Sequence, residues 1–257
     1  VFLNQNKASG EVKIDLNCDM GESFGRYTLG SDEAIMPFIT SANIACGLHA
    51  GDPLVMRQTV RLAKQHGVAV GAHPGWPDLQ GFGRREMSLT HDEAEAFVLY
   101  QIGALAAFAK AKDVELNHVK PHGALYNQAV KDRNLANAIA RAVKQFSVDL
   151  TLVGLAGSEL VEAGVEAGLR VANEGFPDRN YNPDGTLMSR KLAGAVIESP
   201  GEVAANAIRL AQEGVDFSGQ HIRIDTLCLH GDNPYAAQNA KLVRDALEKA
   251  GIQIAAL

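Results

Sequence analysis

The chain has 257 residues, 46% of them apolar, and a formal net charge of −6. That is enough apolar material for one large α/β barrel or for two ordinary domains. With no Lys/Arg block anywhere, the acidic balance leaves no electrostatic footprint for a phosphate backbone or an anionic membrane, and points to a small molecule or another protein as partner.

Residues Val1 to Glu11 carry no initiator methionine and read polar, so they are taken as a loose tail or an expression remnant, with 12–257 as a single domain. Short apolar, strand-like runs then follow at Val12–Cys18, Ser41–Cys46, Val68–Ala72, Glu115–Pro121, Leu150–Leu155, Leu169–Asn173 and Ile222–Leu229. Between them lie helical patterns at Asp32–Phe38, Pro53–His66, His91–Lys112, Asn134–Gln145, Ser158–Ala167, Pro200–Glu213 and Tyr235–Ala250. Thr90 before an acidic first turn, and Asp52 before Pro53, are helix-start signals, and Gly67, Gly168, Gly214 and Gly251 are stops. Repeated βα units without a linker favour a closed barrel of about seven parallel strands. A doubly wound open sheet is the alternative, but it would gather ligands at one or two strand ends, whereas here nearly every strand end carries a polar group.

Those polar groups are Asp19, His49, His73, His122, Glu174 and His230, each read as lying just past a strand. Parallel strands point the same way, so these residues should converge at one mouth. In the first strand Asp15, Asn17 and Asp19 share one parity; in a helix-covered barrel that face must be the lumen. His118, Lys120 and His122 repeat the pattern, and a lysine buried there must pair with a carboxylate or shift its pKa down. Asn43 opens the segment that delivers His49, and Asn17 and Asn43 are candidates for binding substrate or a phosphate. His66, His91 and His221 have no converging partners and read as surface residues.

Two connections leaving strand ends are too long for plain turns, Pro74–Ser88 and Gly175–Ser199, and both read as ordered lids. Their Arg84, Arg85, Asp178, Arg179 and Arg190 are candidates for binding a carboxylate or phosphate. A divalent metal is left open, because no H-x-H or H-E-x-x-H is present; if there is one, Asp19, His49 and His73 would hold it. Cys18, Cys46 and Cys228 lie within or at the end of apolar runs with no C-x-x-C pair, and read as reduced core thiols. No run reaches ~18 apolar residues, which leads to the expectation of a soluble, cytoplasmic protein.

The segments DLNCDMGESFG (Asp15–Gly25), ANIACGLHAGDP (Ala42–Pro53), GAHPGWPDLQGFGRR (Gly71–Arg85), VKPHGALYN (Val119–Asn127), EGFPDRNYNPDGTLMSR (Glu174–Arg190) and LHGDNP (Leu229–Pro234) together resemble the LamB/YcsF family. The resemblance runs from about Lys13 to the C-terminus, with no departure at a motif position. It implies a seven-stranded barrel of the glycoside hydrolase/deacetylase type. It also implies a role as the A component of the bacterial ATP-dependent 5-oxoprolinase, with partner subunits B and C, hydrolysing the lactam C–N bond of 5-oxo-L-proline to L-glutamate. Opening an unstrained lactam is uphill near neutrality, which gives the ATP coupling its reason. Within that frame Asp19 and His122 would activate water or shuttle protons, and Lys120 near Glu174 would stabilise developing negative charge. No G-x-x-x-x-G-K-[ST] loop is present, so nucleotide binding would be atypical or shared with the partners. The alternatives are a metal-dependent carbohydrate deacetylase or other amidohydrolase, and a non-catalytic ligand-binding subunit.

Overall fold

In the first strand, β1 (Lys13–Met20), Ile14, Leu16, Cys18 and Met20 pack outward into the main core, while Asp15, Asn17 and Asp19 face the other way. A strand whose two faces are both covered, one of them polar, fits a closed sheet wrapped by helices with the polar face toward the lumen. The computed structural model, which describes residues 12–189, 192–217, 219–229 and 235–257, has that architecture. Parallel strands β1, β2 (Ser41–Ala45), β3 (Ala69–His73), β4 (Leu116–Val119), β5 (Thr151–Leu155), β6 (Arg170–Gly175) and β9 (Thr226–Leu229) pair in that order, and β9 closes on β1. This is the seven-stranded barrel that the strand count predicts.

The helices are α1 (Asp32–Ile35), α2 (Pro53–His66), α3 (His91–Lys110), α4 (Gly123–Ala129), α5 (Arg133–Phe146), α6 (Glu159–Ala167), α7 (Pro200–Glu213) and α8 (Ala236–Lys249). Asp52 caps α2 by accepting from Leu54 and Val55 N–H, and Thr90 with Glu93 forms a capping box on α3, as their positions suggest. Gly67 and Gly168 end their helices in the left-handed conformation. No helix among the described residues is long and apolar enough to cross a membrane. The expected tail, Val1 to Glu11, lies outside the described residues.

Several elements depart from the sequence reading. The run Ile222–Leu229 divides between an antiparallel hairpin, β7 (Val215–Phe217) with β8 (Gln220–Ile222), and the barrel strand β9. Residues 223–225 lie between the two, and Asp225 still ties to both neighbouring strands: its N–H donates to Asn173 O (2.9 Å), its carbonyl accepts from Asp15 N–H (3.0 Å) and its carboxylate accepts from the Asn173 backbone N–H (2.9 Å) and side-chain amide (3.2 Å). Pro121 has no N–H to give a ladder, so β4 stops at Val119. A short β10 (Gln253–Ile254) pairs with the start of β1, and helix α4 begins directly after His122; the sequence pattern predicts neither.

Candidate active site

Barrel closure stacks the inward side chains in layers. At the bottom Asp15 accepts hydrogen bonds from Thr40 Oγ1 (2.6 Å), Ser41 Oγ (2.7 Å) and Thr226 Oγ1 (2.5 Å). Burial pushes its carboxyl above the usual range, and the three hydroxyls pull against that. Above it, Asn17 donates to Glu174 Oε1 (3.0 Å) and Thr226 Oγ1 (2.7 Å) and accepts from Asn43 Nδ2 (2.8 Å) and Lys120 Nζ (3.1 Å). That pattern fixes the orientation of both amides, so Asn43 Oδ1 accepts a hydrogen bond from His118 Nε2–H, 2.7 Å away. Burial, with Lys120 nearby, takes His118 down to about 3 and keeps it neutral.

The next layer carries the charge. Lys120 Nζ lies 2.8 Å from Glu174 Oε1, 3.1 Å from Asp19 Oδ1 and 3.1 Å from Cys228 Sγ. Burial alone would favour a neutral amine, but the Asp19 and Glu174 carboxylates outweigh it and hold Lys120 well above its ordinary value, as a cation. Asp19, 19% exposed at its side chain, is held well below the carboxylate range: His73 and Lys120 overcome the cost of burial. Tyr126 donates to Glu174 Oε2 (2.7 Å), its hydroxyl kept protonated by burial and by that carboxylate. Cys228 is the free, buried thiol expected, packed with Tyr126, Val130, Leu155 and Phe176; its sulfur also meets Lys120, and burial pushes the thiol up.

At the mouth three imidazoles meet. His73 Nε2 stands 3.2 Å from Asp19 Oδ2 and 2.9 Å from His122 Nδ1, and the His49 ring stacks on His122 at 3.9 Å with 6° between planes. Glu22, 11% exposed at its side chain, comes within 3.8 Å of His122 Nδ1 and 4.0 Å of His49 Nε2. Ligand atoms of Glu22, His49, His73 and His122 all lie within 4.8 Å of one another, a group that could hold a metal ion. Of the expected trio Asp19, His49 and His73, two belong to this group; Asp19 stands toward the cleft and is shared with Lys120.

Asp19, His73, Lys120 and His122 open onto a cavity of about 550 Å³ whose walls also include Arg84, Tyr126, Phe176 and Arg179. Asp19, His73 and Glu174 are the last or next-to-last residues of their strands, while His49 and His122 lie just past theirs. The first lid is anchored by buried Trp76, whose Nε1 donates to Gln128 (2.7 Å), and by Gln101, which bonds both Gly75 N–H and C=O. Not every lid charge reaches the cavity. Arg85 pairs with Asp78 in its own loop, outside the cavity wall, and Asp178 does not line the cavity; Arg179 does reach the wall, where it also donates to the carbonyls of Met188 and Ala195. Arg190 and His230 lie outside the described residues.

The Asp78–Arg85 pair makes lid stability pH-dependent. Hydrogen bonds from Arg85, against the cost of burial, hold the Asp78 carboxyl down to about 2, below its ordinary 3.8. A depressed carboxylate contributes stability above its unfolded pKa and loses it as pH falls through the folded one. Asp78→Asn is therefore expected to lower the melting temperature at pH 6, with the difference from wild type shrinking between about pH 4 and pH 2. A pH-independent difference in a thermal-melt series would contradict this.

Three participants in the site are not marked by the sequence pattern. Glu22 follows a tight turn at Gly21 (φ +67°) that carries it back over the barrel. Tyr126 is placed by helix α4, and Thr226 by the break before β9. The one signal for Glu22 is its place in D-M-G-E, three residues after Asp19.

Comparison with known proteins places this geometry among relatives. Residues 14–257 match the LamB/YcsF family. The chain is 55% identical over 247 residues to the A component of the 5-oxoprolinase of Pyrococcus furiosus, covering 95% of this chain and 97% of that one. It is 56% identical over 248 residues to the corresponding 5-oxoprolinase component of Symbiobacterium thermophilum, covering 95% of each. It also superposes with a TM-score of 0.88 on the crystal structure of the lactam utilization protein from Thermus thermophilus, at 52% identity, covering 95% of this chain and all of the other.

Proposed function

The chain belongs to the LamB/YcsF family, and on that premise we propose that it is the A component of a cytoplasmic, ATP-dependent 5-oxoprolinase, opening the lactam of 5-oxo-L-proline to L-glutamate together with partner subunits B and C. The names of its relatives support both the lactam and a place in a multi-component enzyme. The observation that carries the chemistry is Lys120, a cation fixed between Glu174 and Asp19 on the floor of the cavity.

Hydrolysis of an amide needs an activated water, a stabilised oxyanion and a protonated leaving nitrogen. Asp19, the most exposed member of the Asp19–Lys120–Glu174 set, orients the water at the cavity wall, takes its proton as the C–O bond forms and passes it to the lactam nitrogen as the C–N bond breaks. Lys120, preorganised by Asn17 and the two carboxylates, meets the developing negative charge. Burial, with His73 beside it, takes His122 down to about 3 and keeps it neutral, next to Asp19 at the cavity wall. Arg84, at the cavity wall, suits the substrate carboxylate. ATP is consumed by the assembly, the partners supplying the conventional nucleotide site.

The test is ATP-dependent glutamate release from 5-oxo-L-proline, measured with this chain alone and with subunits B and C added. Release is expected only from the complete assembly, and Asp19→Asn should reduce it by about 10²–10⁴-fold with assembly intact. Wild-type turnover by that variant would remove Asp19 from the chemistry; no turnover by the complete assembly would remove the reaction. The Glu–His group also suits a metal-dependent amidohydrolase of acetylated sugars, and acetate release from such substrates would favour that reading.

A further inference from the structure

His73 Nδ1 lies 2.7 Å from the backbone carbonyl of Lys120, and His122 Nε2 lies 2.8 Å from that of Phe82. A carbonyl only accepts, so both of these nitrogens carry hydrogens. The opposite nitrogens, His73 Nε2 and His122 Nδ1, face each other at 2.9 Å with the Asp19 carboxylate 3.2 Å from one of them, so a hydrogen cannot sit on both. Two lone pairs and a carboxylate at such distances repel unless a positive centre is shared among them. His49 adds a second requirement: it is fully buried, and neither ring nitrogen has a hydrogen-bond partner among the described residues. A buried imidazole left bare in this way is rare in native proteins.

We infer that a divalent transition-metal ion binds at the barrel mouth, held by His73 Nε2, His122 Nδ1, His49 Nε2 and Glu22, with Asp19 on its cleft side. A bridging proton would satisfy the His73–His122 contact but leave His49 bare. An ion about 2.0–2.1 Å from each nitrogen spans their 2.9 Å separation at roughly a right angle, within ordinary coordination geometry. Three imidazoles select a transition metal over Mg²⁺ or Ca²⁺, which take oxygen ligands.

The surroundings are built as an outer shell for such a site. Each of the two anchored imidazoles gives its remote N–H to a backbone carbonyl, which fixes tautomer and ring orientation. Phe82 adopts φ +54° to aim its carbonyl, a conformation that is strained for an aromatic residue. Gly75 and Gly83 make room for the rings: a Cβ at Gly75 would come within 2.5 Å of His49 Nδ1, and one at Gly83 within 2.8 Å of His122 Cδ2. His73 and His122 line the cavity, which supplies the entry path. The ion would act as a Lewis acid toward a carbonyl or a water; that use rests on the lactam reading, whereas its binding does not.

The test is made on the full chain, stripped with a chelator and then titrated with Zn²⁺ and Co²⁺. The expected result is about one equivalent of tightly held metal per chain, a Co²⁺ visible absorption of nitrogen-rich coordination, and a melting temperature raised by several degrees. His49→Gln and His122→Gln should each reduce retained metal at least tenfold, whereas exposed His221→Gln should retain it. If a ligand variant fails to fold, the wild-type Co²⁺ spectrum and melting shift decide. Less than a tenth of an equivalent with an unchanged melt, or equal retention in the His49 and His122 variants, would overturn the inference. None of these readouts is glutamate release, so failure of the proposed reaction is distinguishable from failure of the site.

Discussion

Lys120→Met is expected to destabilise the protein by about 3–5 kcal/mol and to reduce ring opening by at least about a thousandfold. Methionine keeps the length and apolar stem of the side chain but removes the charge on which Glu174 and Asp19 converge at 2.8 and 3.1 Å. Glu174 is fully buried, and Tyr126 and Asn17 can hydrogen-bond it but not neutralise it. A buried ion pair broken on one side leaves an uncompensated charge, which costs more than the intact pair ever contributes. Adding Glu174→Gln to Lys120→Met should therefore recover part of the lost stability without recovering activity, so the two losses should be strongly non-additive in guanidinium unfolding. If Lys120→Met unfolds at the wild-type midpoint, the cation is not what organises this floor.

Gly71→Ala should be nearly as damaging, from a single methyl. Gly71 pairs with His118 in the β3–β4 register, and a Cβ built on it would sit 2.1 Å from His118 Nε2 and 2.4 Å from Cε1. Gly71 is not in the left-handed region, so alanine fits its backbone and the clash is purely one of volume. The imidazole must leave, at an overpacking cost of about 1–3 kcal/mol. Its departure strips Asn43 Oδ1 of its 2.7 Å donor, adding roughly 1–3 kcal/mol for a buried acceptor without a partner. Asn43 also holds Asn17 and Asp19, so the disturbance reaches the charged layer and activity should fall with stability. The double variant Gly71→Ala/His118→Ala opens the space again and should melt higher than Gly71→Ala alone. A single variant with a wild-type melting temperature would mean that the ring relocates freely.

Two features were legible in the chain by itself because they are local. The period-two pattern of Asp15, Asn17 and Asp19 against Ile14, Leu16 and Cys18 specifies two different covered faces, which a closed, helix-wrapped sheet provides. The caps at Asp52 and Thr90 and the stops at Gly67 and Gly168 are satisfied within a few residues of themselves. Strand number and direction, and the existence of a common polar mouth, follow from repeating such units.

Which polar group meets which was decided only by tertiary structure. Alternation says which face a side chain takes but nothing about height or partner across the lumen, because those depend on register and on how the ring of strands closes. Lys120 thus finds Glu174 and Asp19 through the β9–β1 and β6–β9 joins, and Cys228, buried as expected, proves to be its neighbour. Arg85 looked like a ligand-binding charge until its loop folded back onto Asp78. Glu22 enters the His49–His73–His122 group through one left-handed glycine, a backbone angle that sequence periodicity does not encode.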